Sequence, residues 1–203
     1  MIISSKEILI ENIYKKYLTS KKKKIIVSIS GLSRSGKTTL SNEISSFLDK
    51  KSVCNEIMSL DSWIIDHRER KKNSTVLERY EMNNIDDSIS KAVNGFLVKC
   101  PKYESESRRR IKHEYSKLIK IDKGVLIIEG VISLVKTSFY KFSDFKIFIE
   151  IKDSLRIKRL INFYRNKKKL NKIQYKKIIL SREFEEKKII INSKKNSNYI
   201  LNL

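Results

Sequence analysis

The hydrophobic positions fall into two alternating rhythms. Ile10, Ile13, Tyr14, Tyr17 and Leu18 recur at i, i+3, i+4, i+7 and i+8, which places them on one face of a helix within residues 1–20. Ser4-x-x-Glu7 supplies a capping box ahead of that stripe. A continuous apolar run, Ile25 to Ile29, reads as a buried strand and ends at Gly31, after which Leu40, Ile44, Phe47 and Leu48 resume the helical period. Further strands are predicted at Val53–Leu60, Val125–Ile128, Lys146–Ile151 and, at the end, Tyr199–Leu203. Helices are predicted at Asp86–Phe96, closing near Gly95, and at Asp153–Asn166 and Ile173–Lys187, both rich in basic residues. Strands separated by helices predict a mostly parallel sheet covered on both faces. With no internal repeat and no Gly/Ser linker, residues 1–203 read as one α/β domain.

Between the first apolar strand and the helix that follows it lies Gly31-Leu32-Ser33-Arg34-Ser35-Gly36-Lys37-Thr38-Thr39, which satisfies G-x-x-x-x-G-K-[ST]. Its glycines let successive backbone N–H groups curl toward phosphate oxygens, and the helix adds its positive N-terminal end. Lys37 is placed to reach the β- and γ-phosphates of a nucleoside triphosphate, and the Thr38 hydroxyl to occupy one site of an octahedral Mg²⁺. Only 5 glycines occur in 203 residues. A chance match is therefore on the order of one in a few hundred per chain, before the strand–helix context is required. Two acids fall at the C-terminal ends of strands, where an open α/β sheet gathers its reactive groups: Asp61 after Val53–Leu60, and Glu129 after Val125–Ile128. Phosphoryl transfer needs one carboxylate for the acceptor hydroxyl's proton and another near the metal.

Charge widens the range of partners. Lys+Arg number 45 against 23 Asp+Glu, a net +22 that suits a polyanion or a phosphorylated substrate. The lysines are spread over nearly every segment, as coding bias with solvated faces would produce. The aromatics do not interleave with them as a nucleic-acid platform requires, so nucleic acid is not the expected partner and Trp63 is expected in a pocket wall or the core. The longest apolar run, Val125 to Val135, is broken by Glu129, which excludes a transmembrane helix, and Met1 to Ser5 lacks the makings of a secretory signal. Cys54 and Cys100 have neither metal-ligand nor disulfide-framework spacing, in keeping with a reducing cytoplasm. His67 and His113 are expected at the surface. Arg108-Arg109-Arg110 reads equally as a substrate contact or as solvated charge.

Three segments together, Ile29 to Thr39, Ser59-Leu60-Asp61-Ser62-Trp63 and Ile127-Ile128-Glu129-Gly130-Val131, resemble the uridine kinase and phosphoribulokinase branch of P-loop kinases, in order and spacing from Lys24 onward. Ser193 to Ile200 is similar to that family's closing segment. The resemblance implies a P-loop NTPase-type sheet with a small basic lid at about 155–185, and transfer of the ATP or GTP γ-phosphate to a sugar hydroxyl, the 5′-hydroxyl in the nucleoside kinases. By the same resemblance Asp61 is the general base, Thr38 and Glu129 belong to the Mg²⁺ shell, and a homo-oligomer is possible. It places Glu81, Tyr103, Arg108 and Arg159 among the substrate-binding residues. Glu81 stands where the family has a ribose-binding Asp, and Arg108 where it has a pyrimidine-reading His. Asn162-Phe163 replaces an Arg-Asp pair, and Lys167-Lys168-Lys169 replaces the lid's Arg-Gly-Arg. The expected acceptor is the 5′-hydroxyl of uridine or cytidine. The alternatives are another hydroxyl compound, such as a sugar or sugar phosphate, and a non-catalytic relative that binds nucleic acid.

Overall fold

The computed structural model describes residues 2–3, 5–72 and 74–203. After a two-residue edge strand β1 (Ile2–Ile3), helix α1 (Lys6–Thr19) starts at Ser5, whose hydroxyl accepts the Ile8 N–H at 3.4 Å. Ser4, the expected cap, lies outside the described residues. The chain then runs β2 (Lys24–Gly31), α2 (Lys37–Lys50), β3 (Asn55–Ser59), α3 (Met82–Val93), β4 (Val98–Glu104), β5 (Arg109–Ile119), β6 (Gly124–Glu129), α4 (Thr137–Tyr140) and β7 (Phe145–Glu150). It closes with α5 (Asp153–Asn162), α6 (Lys172–Glu185), α7 (Lys187–Asn192) and β8 (Tyr199–Asn202).

The main sheet has the order β1-β8-β7-β2-β6-β3 with every pairing parallel. Because both faces are covered, successive side chains of one strand enter different cores. Ile25, Val27, Ile29, Val125 and Ile127 pack with Leu9, Ile13, Leu40 and Ile44 of α1 and α2. Ile26, Leu126, Ile128 and Met58 pack on the opposite face with Ile85 and Ile89 of α3. This is the α/β architecture expected of a P-loop kinase.

Beside the β3 edge stands a separate antiparallel hairpin, β4–β5, whose register slips around Pro101. Proline cannot donate to a ladder, so a bulge there is its natural place. Near the C-terminus, α5, a π-helical turn (Phe163–Lys167) and α6 share a small core of Leu160, Tyr164 and Ile179. The buried Arg156 ties α5 to α6 through Asp153 and Glu183.

Several boundaries move from the sequence expectation. The strand expected to end at Leu60 stops at Ser59, and Leu60–Trp63 turns as a 3₁₀ helix. The helix expected from Asp86 begins at Met82. The helix expected through Asn166 ends at Asn162, and the one expected through Lys187 is divided at Glu186.

Candidate active site

The site is assembled by strand register. In the sheet Glu129 stands opposite Ile29 on one side and Ser59 on the other, so β6 and β3 end level and β2 runs two residues further, to Gly31. The phosphate loop leaves β2, Glu129 ends β6, and Asp61 follows β3 within the 3₁₀ turn. All three open into a cavity of about 1510 Å³.

Gly31 begins the loop at φ +148°, where a Cβ would stand 2.7 Å from the Ile149 carbonyl oxygen and 2.7 Å from the Ser35 hydroxyl. Only glycine fits that approach. Helix α2 starts at Gly36 with no side-chain cap, so its first N–H groups are left for an anion. The Ser35 hydroxyl is buried with no partner among the described residues. These are the features a phosphate group would satisfy. Lys37 is buried and donates to the carbonyls of Gly31 and Leu32, both at 3.0 Å. Burial lowers its pKa, while the carboxylates of Glu129 and Asp61 raise it again. Arg34 lies over the Phe163 ring at 3.6 Å, and its carbonyl accepts from Arg159 at 3.4 Å. Arg159 is thus brought to the phosphate loop and not to Tyr103 and Arg108.

Glu129 is 6% exposed. Burial and the neighbouring Asp61 raise its pKa, against which the Ser59 hydroxyl, Lys37 and the Thr38 hydroxyl favour the carboxylate. A hydroxyl and a carboxylate side by side are hard oxygen donors, and they fit a Mg²⁺ that keeps waters and phosphate oxygens as its other ligands. Among the described residues no group of three His, Cys, Asp or Glu could hold a metal unaided. Asp61 is exposed to the cavity, held there by Leu60 and Trp63, which are both in the core. The Tyr80 hydroxyl donates to Asp61 Oδ1 at 3.0 Å. Burial and the Asp61 and Glu186 carboxylates push that phenol well above its usual range, so it remains a donor.

The hairpin carries the rest. Tyr103 lies on β4, and Arg108 lies at the turn with φ +59°. The Arg108 carbonyl accepts the His67 N–H at 3.1 Å. Asp66 is buried and accepts from the backbone and guanidinium of Arg68 at 3.0 Å and from the Arg110 N–H at 3.2 Å. Those bonds hold its carboxyl far below the usual range and strap the 64–72 segment to the hairpin. The strap delivers Arg70, which donates to the Ile65 carbonyl at 2.8 Å and to the Tyr103 hydroxyl at 3.0 Å. From α6, Arg182 enters the cavity 3.8 Å from Glu186, and Lys168, after the π-helical turn, donates to the Ser105 and Glu106 carbonyls of the hairpin turn.

Of the residues expected from sequence, Ser33, Arg34, Gly36, Lys37, Thr38, Thr39, Asp61, Tyr103, Arg108, Glu129 and Arg159 line this cavity. Gly31, Leu32 and Ser35 shape the loop from behind. Glu81 does not line it, because its carboxylate is paired with Arg110 at 2.6 Å. Arg70 and Arg182 are not singled out by any sequence signal, and Tyr80 is marked only by the family likeness, as the aromatic ahead of Glu81. His67 and His113 are exposed and Trp63 is in the core.

A phosphate loop flanked by carboxylates on the next strands of a parallel sheet, with α5 and α6 lining the same cavity, defines a P-loop kinase. Residues 26–169 match the model of the phosphoribulokinase / uridine kinase family, and the chain belongs to that family. A uridine kinase of Ureaplasma urealyticum is 30% identical over 148 residues, 69% of either chain. The phosphoribulokinase of Rhodobacter spheroides superposes with a TM-score of 0.64 at 14% identity, covering 89% of this chain and 71% of that one. The D-glycerate 3-kinase of Cryptococcus neoformans gives 0.66 at 13% identity, covering 91% and 87%. Among the described residues no helix is long and apolar enough to cross a membrane.

Proposed function

We propose that the protein transfers the γ-phosphate of ATP or GTP, with Mg²⁺, to a hydroxyl of a small polar acceptor. The observation that carries this reading is the register of β2, β6 and β3, which brings Lys37, Glu129 and Asp61 to one cavity. The N–H groups of residues 33–38 cradle the phosphates, and Lys37 exchanges its two carbonyl partners for phosphate oxygens as they enter. When bound, Mg²⁺ supplies charge neutralisation between the phosphates, and Thr38 and Glu129 are the residues that would hold it. Asp61 accepts the acceptor's hydroxyl proton. Its Oδ1 is engaged by Tyr80, which leaves Oδ2 for that task.

The identity with a uridine kinase supports the 5′-hydroxyl of a pyrimidine nucleoside as acceptor. The basic surface and the alternative of nucleic-acid binding without turnover draw no support from the site, where Lys37, Thr38, Asp61 and Glu129 are all present. ADP release in the presence of a panel of nucleosides and sugars tests the reading. Asp61→Asn should lower kcat about 10²- to 10⁴-fold with nucleotide affinity nearly unchanged. Lys37→Ala should cost orders of magnitude in turnover even where some nucleotide still binds. Near-normal turnover in Lys37→Ala would sink the assignment, and parallel loss of nucleotide binding in Asp61→Asn would recast Asp61 as a metal or fold residue.

A further inference from the structure

The end of the cavity beyond Asp61 is cationic in a way that the phosphoryl-transfer chemistry does not require. Sheet order places the elements in sequence across the mouth: the phosphate loop on β2, Glu129 on β6, Asp61 after β3, then the hairpin. The nucleotide's phosphates lie at the first of these, so the groups on the hairpin face the acceptor. Three guanidiniums converge there, from Arg70 on the strap, Arg108 at the hairpin turn and Arg182 on α6. Among the described residues neither Arg70 nor Arg108 has a carboxylate within ion-pair distance, although the chain pairs many of its other arginines, including Arg68, Arg79, Arg110 and Arg156. Glu186, at the end of α6, is shared between Arg182 and Arg79.

Arg108 is exposed at the cavity mouth, yet partial desolvation, and then the proximity of Arg70 and Arg182, disfavours its charge. The cluster is also built and not incidental. Arg70 is fixed at both ends of its guanidinium, Arg108 is fixed by its carbonyl in a left-handed conformation, and Asp66 locks strap to hairpin. Meanwhile Glu81, the carboxylate that could have met a ribose hydroxyl here, is withdrawn onto Arg110. An arginine offers only donors, and the Tyr103 hydroxyl, accepting from Arg70, has its own proton left to give.

We propose that the acceptor is an anion: a small hydroxyl compound bearing an oxyanion, as a phosphate monoester or a carboxylate, held by Arg70, Arg108 and the Tyr103 hydroxyl with its reacting hydroxyl at Asp61. This rests on the phosphotransferase reading above and replaces its neutral pyrimidine nucleoside with a charged acceptor. Planar guanidinium forks bind such groups through paired charge-assisted hydrogen bonds. A neutral pyrimidine with an amino group facing them would leave donors unpaired.

Matched pairs test it. Protein saturated with a non-hydrolysable ATP analogue and Mg²⁺, so that the phosphate loop is occupied, is titrated with ribose 5-phosphate against ribose, glycerate against glycerol, and uridine 3′-monophosphate against uridine. The phosphate and carboxylate arms separate the two sources of the oxyanion, and ADP release with ATP identifies the members that react. In at least one pair the charged member should bind about 10- to 100-fold more tightly. That preference should collapse in Arg108→Ala, whose guanidinium makes no hydrogen bond or ion pair among the described residues, and in Arg70→Gln, and should return in part in Arg108→Lys. Charged and neutral members binding alike in every pair, or a preference that survives in both arginine variants, would overturn the proposal while leaving the kinase reading intact. Failure to bind the nucleotide analogue would overturn both.

Discussion

The two ends of β6 allow stability and catalysis to be perturbed separately. Gly130 follows Glu129, and its N–H donates to the Ile29 carbonyl at 3.1 Å, which pins it to β2. A Cβ there would stand 2.9 Å from the Leu60 Cβ, an atom set by the backbone and unable to swing aside. Relief to an ordinary contact near 3.4 Å needs a shift of about 0.5 Å. With Gly130 pinned, Leu60 must take it, and Asp61 moves with Leu60. In Gly130→Ala the overpacking should cost about 1–3 kcal/mol, or roughly 2–12 °C in Tm for a chain of this size. The displaced base should cost about 10-fold in kcat, given that about 1 Å of misplacement costs about 10²-fold. At the other end, Gly124 has φ +125°, and a Cβ would stand 2.0 Å from the Cys54 carbonyl oxygen. That oxygen accepts the Val125 N–H at 2.9 Å and helps to hold β3 on β6. Gly124→Ala should destabilise more, by about 2–6 kcal/mol from strain and overlap together. It lies a full strand away from the site, so kcat per folded molecule should stay near wild type. Calorimetric Tm paired with steady-state kcat, corrected for the folded fraction, separates the two. A Gly130→Ala protein with unaltered kcat, or a Gly124→Ala protein that folds normally yet loses kcat, would refute this account of how the strand ends position Asp61.

Two further substitutions address the carboxylates. Tyr80→Phe removes the donor to Asp61 Oδ1 and should lower kcat about 3- to 30-fold with little change in nucleotide KM or Tm, because the buried hydroxyl's desolvation is removed along with its bond; a Tm loss without a kinetic effect would assign Tyr80 to packing alone. Glu129→Gln should raise Tm at pH 7 while abolishing Mg²⁺-dependent turnover. The Glu129 carboxyl binds a proton more tightly folded than unfolded, so the native state bears a cost that is complete above the folded pKa and disappears below the unfolded one. The stability advantage of the amide variant should therefore shrink as pH falls through that window in calorimetry, and a Tm that drops at pH 7 would show that Lys37 depends on this carboxylate.

What the sequence discloses here depends on whether a residue's role is local. Val125 to Ile128 is legible as a strand because a parallel strand covered on both faces must be apolar throughout, and Glu129 is legible because it interrupts that run where the strand ends. The phosphate loop is legible because its geometry is carried by consecutive residues. By contrast, β5 is mostly exposed, so no alternation announces it, and Tyr103 is reached only through a family likeness. The π-helical turn at Phe163–Lys167 keeps the apolar spacing of a continuing helix, so its boundary leaves no trace. Arg70 lies in an irregular strap whose position is set by Asp66 reaching the hairpin. Arg182 is one basic residue among several on α6, and only the docking of that helix decides which of them points inward. The same reasoning bears on the net charge of +22, which on composition alone reads as lysine-rich bias. A sum over the chain cannot distinguish a lysine in water from an arginine held beside another arginine at the mouth of a cavity. The first costs little and implies nothing. The second is disfavoured by its cationic neighbours and has no carboxylate within ion-pair distance among the described residues, and that imbalance is the argument for a ligand of opposite charge.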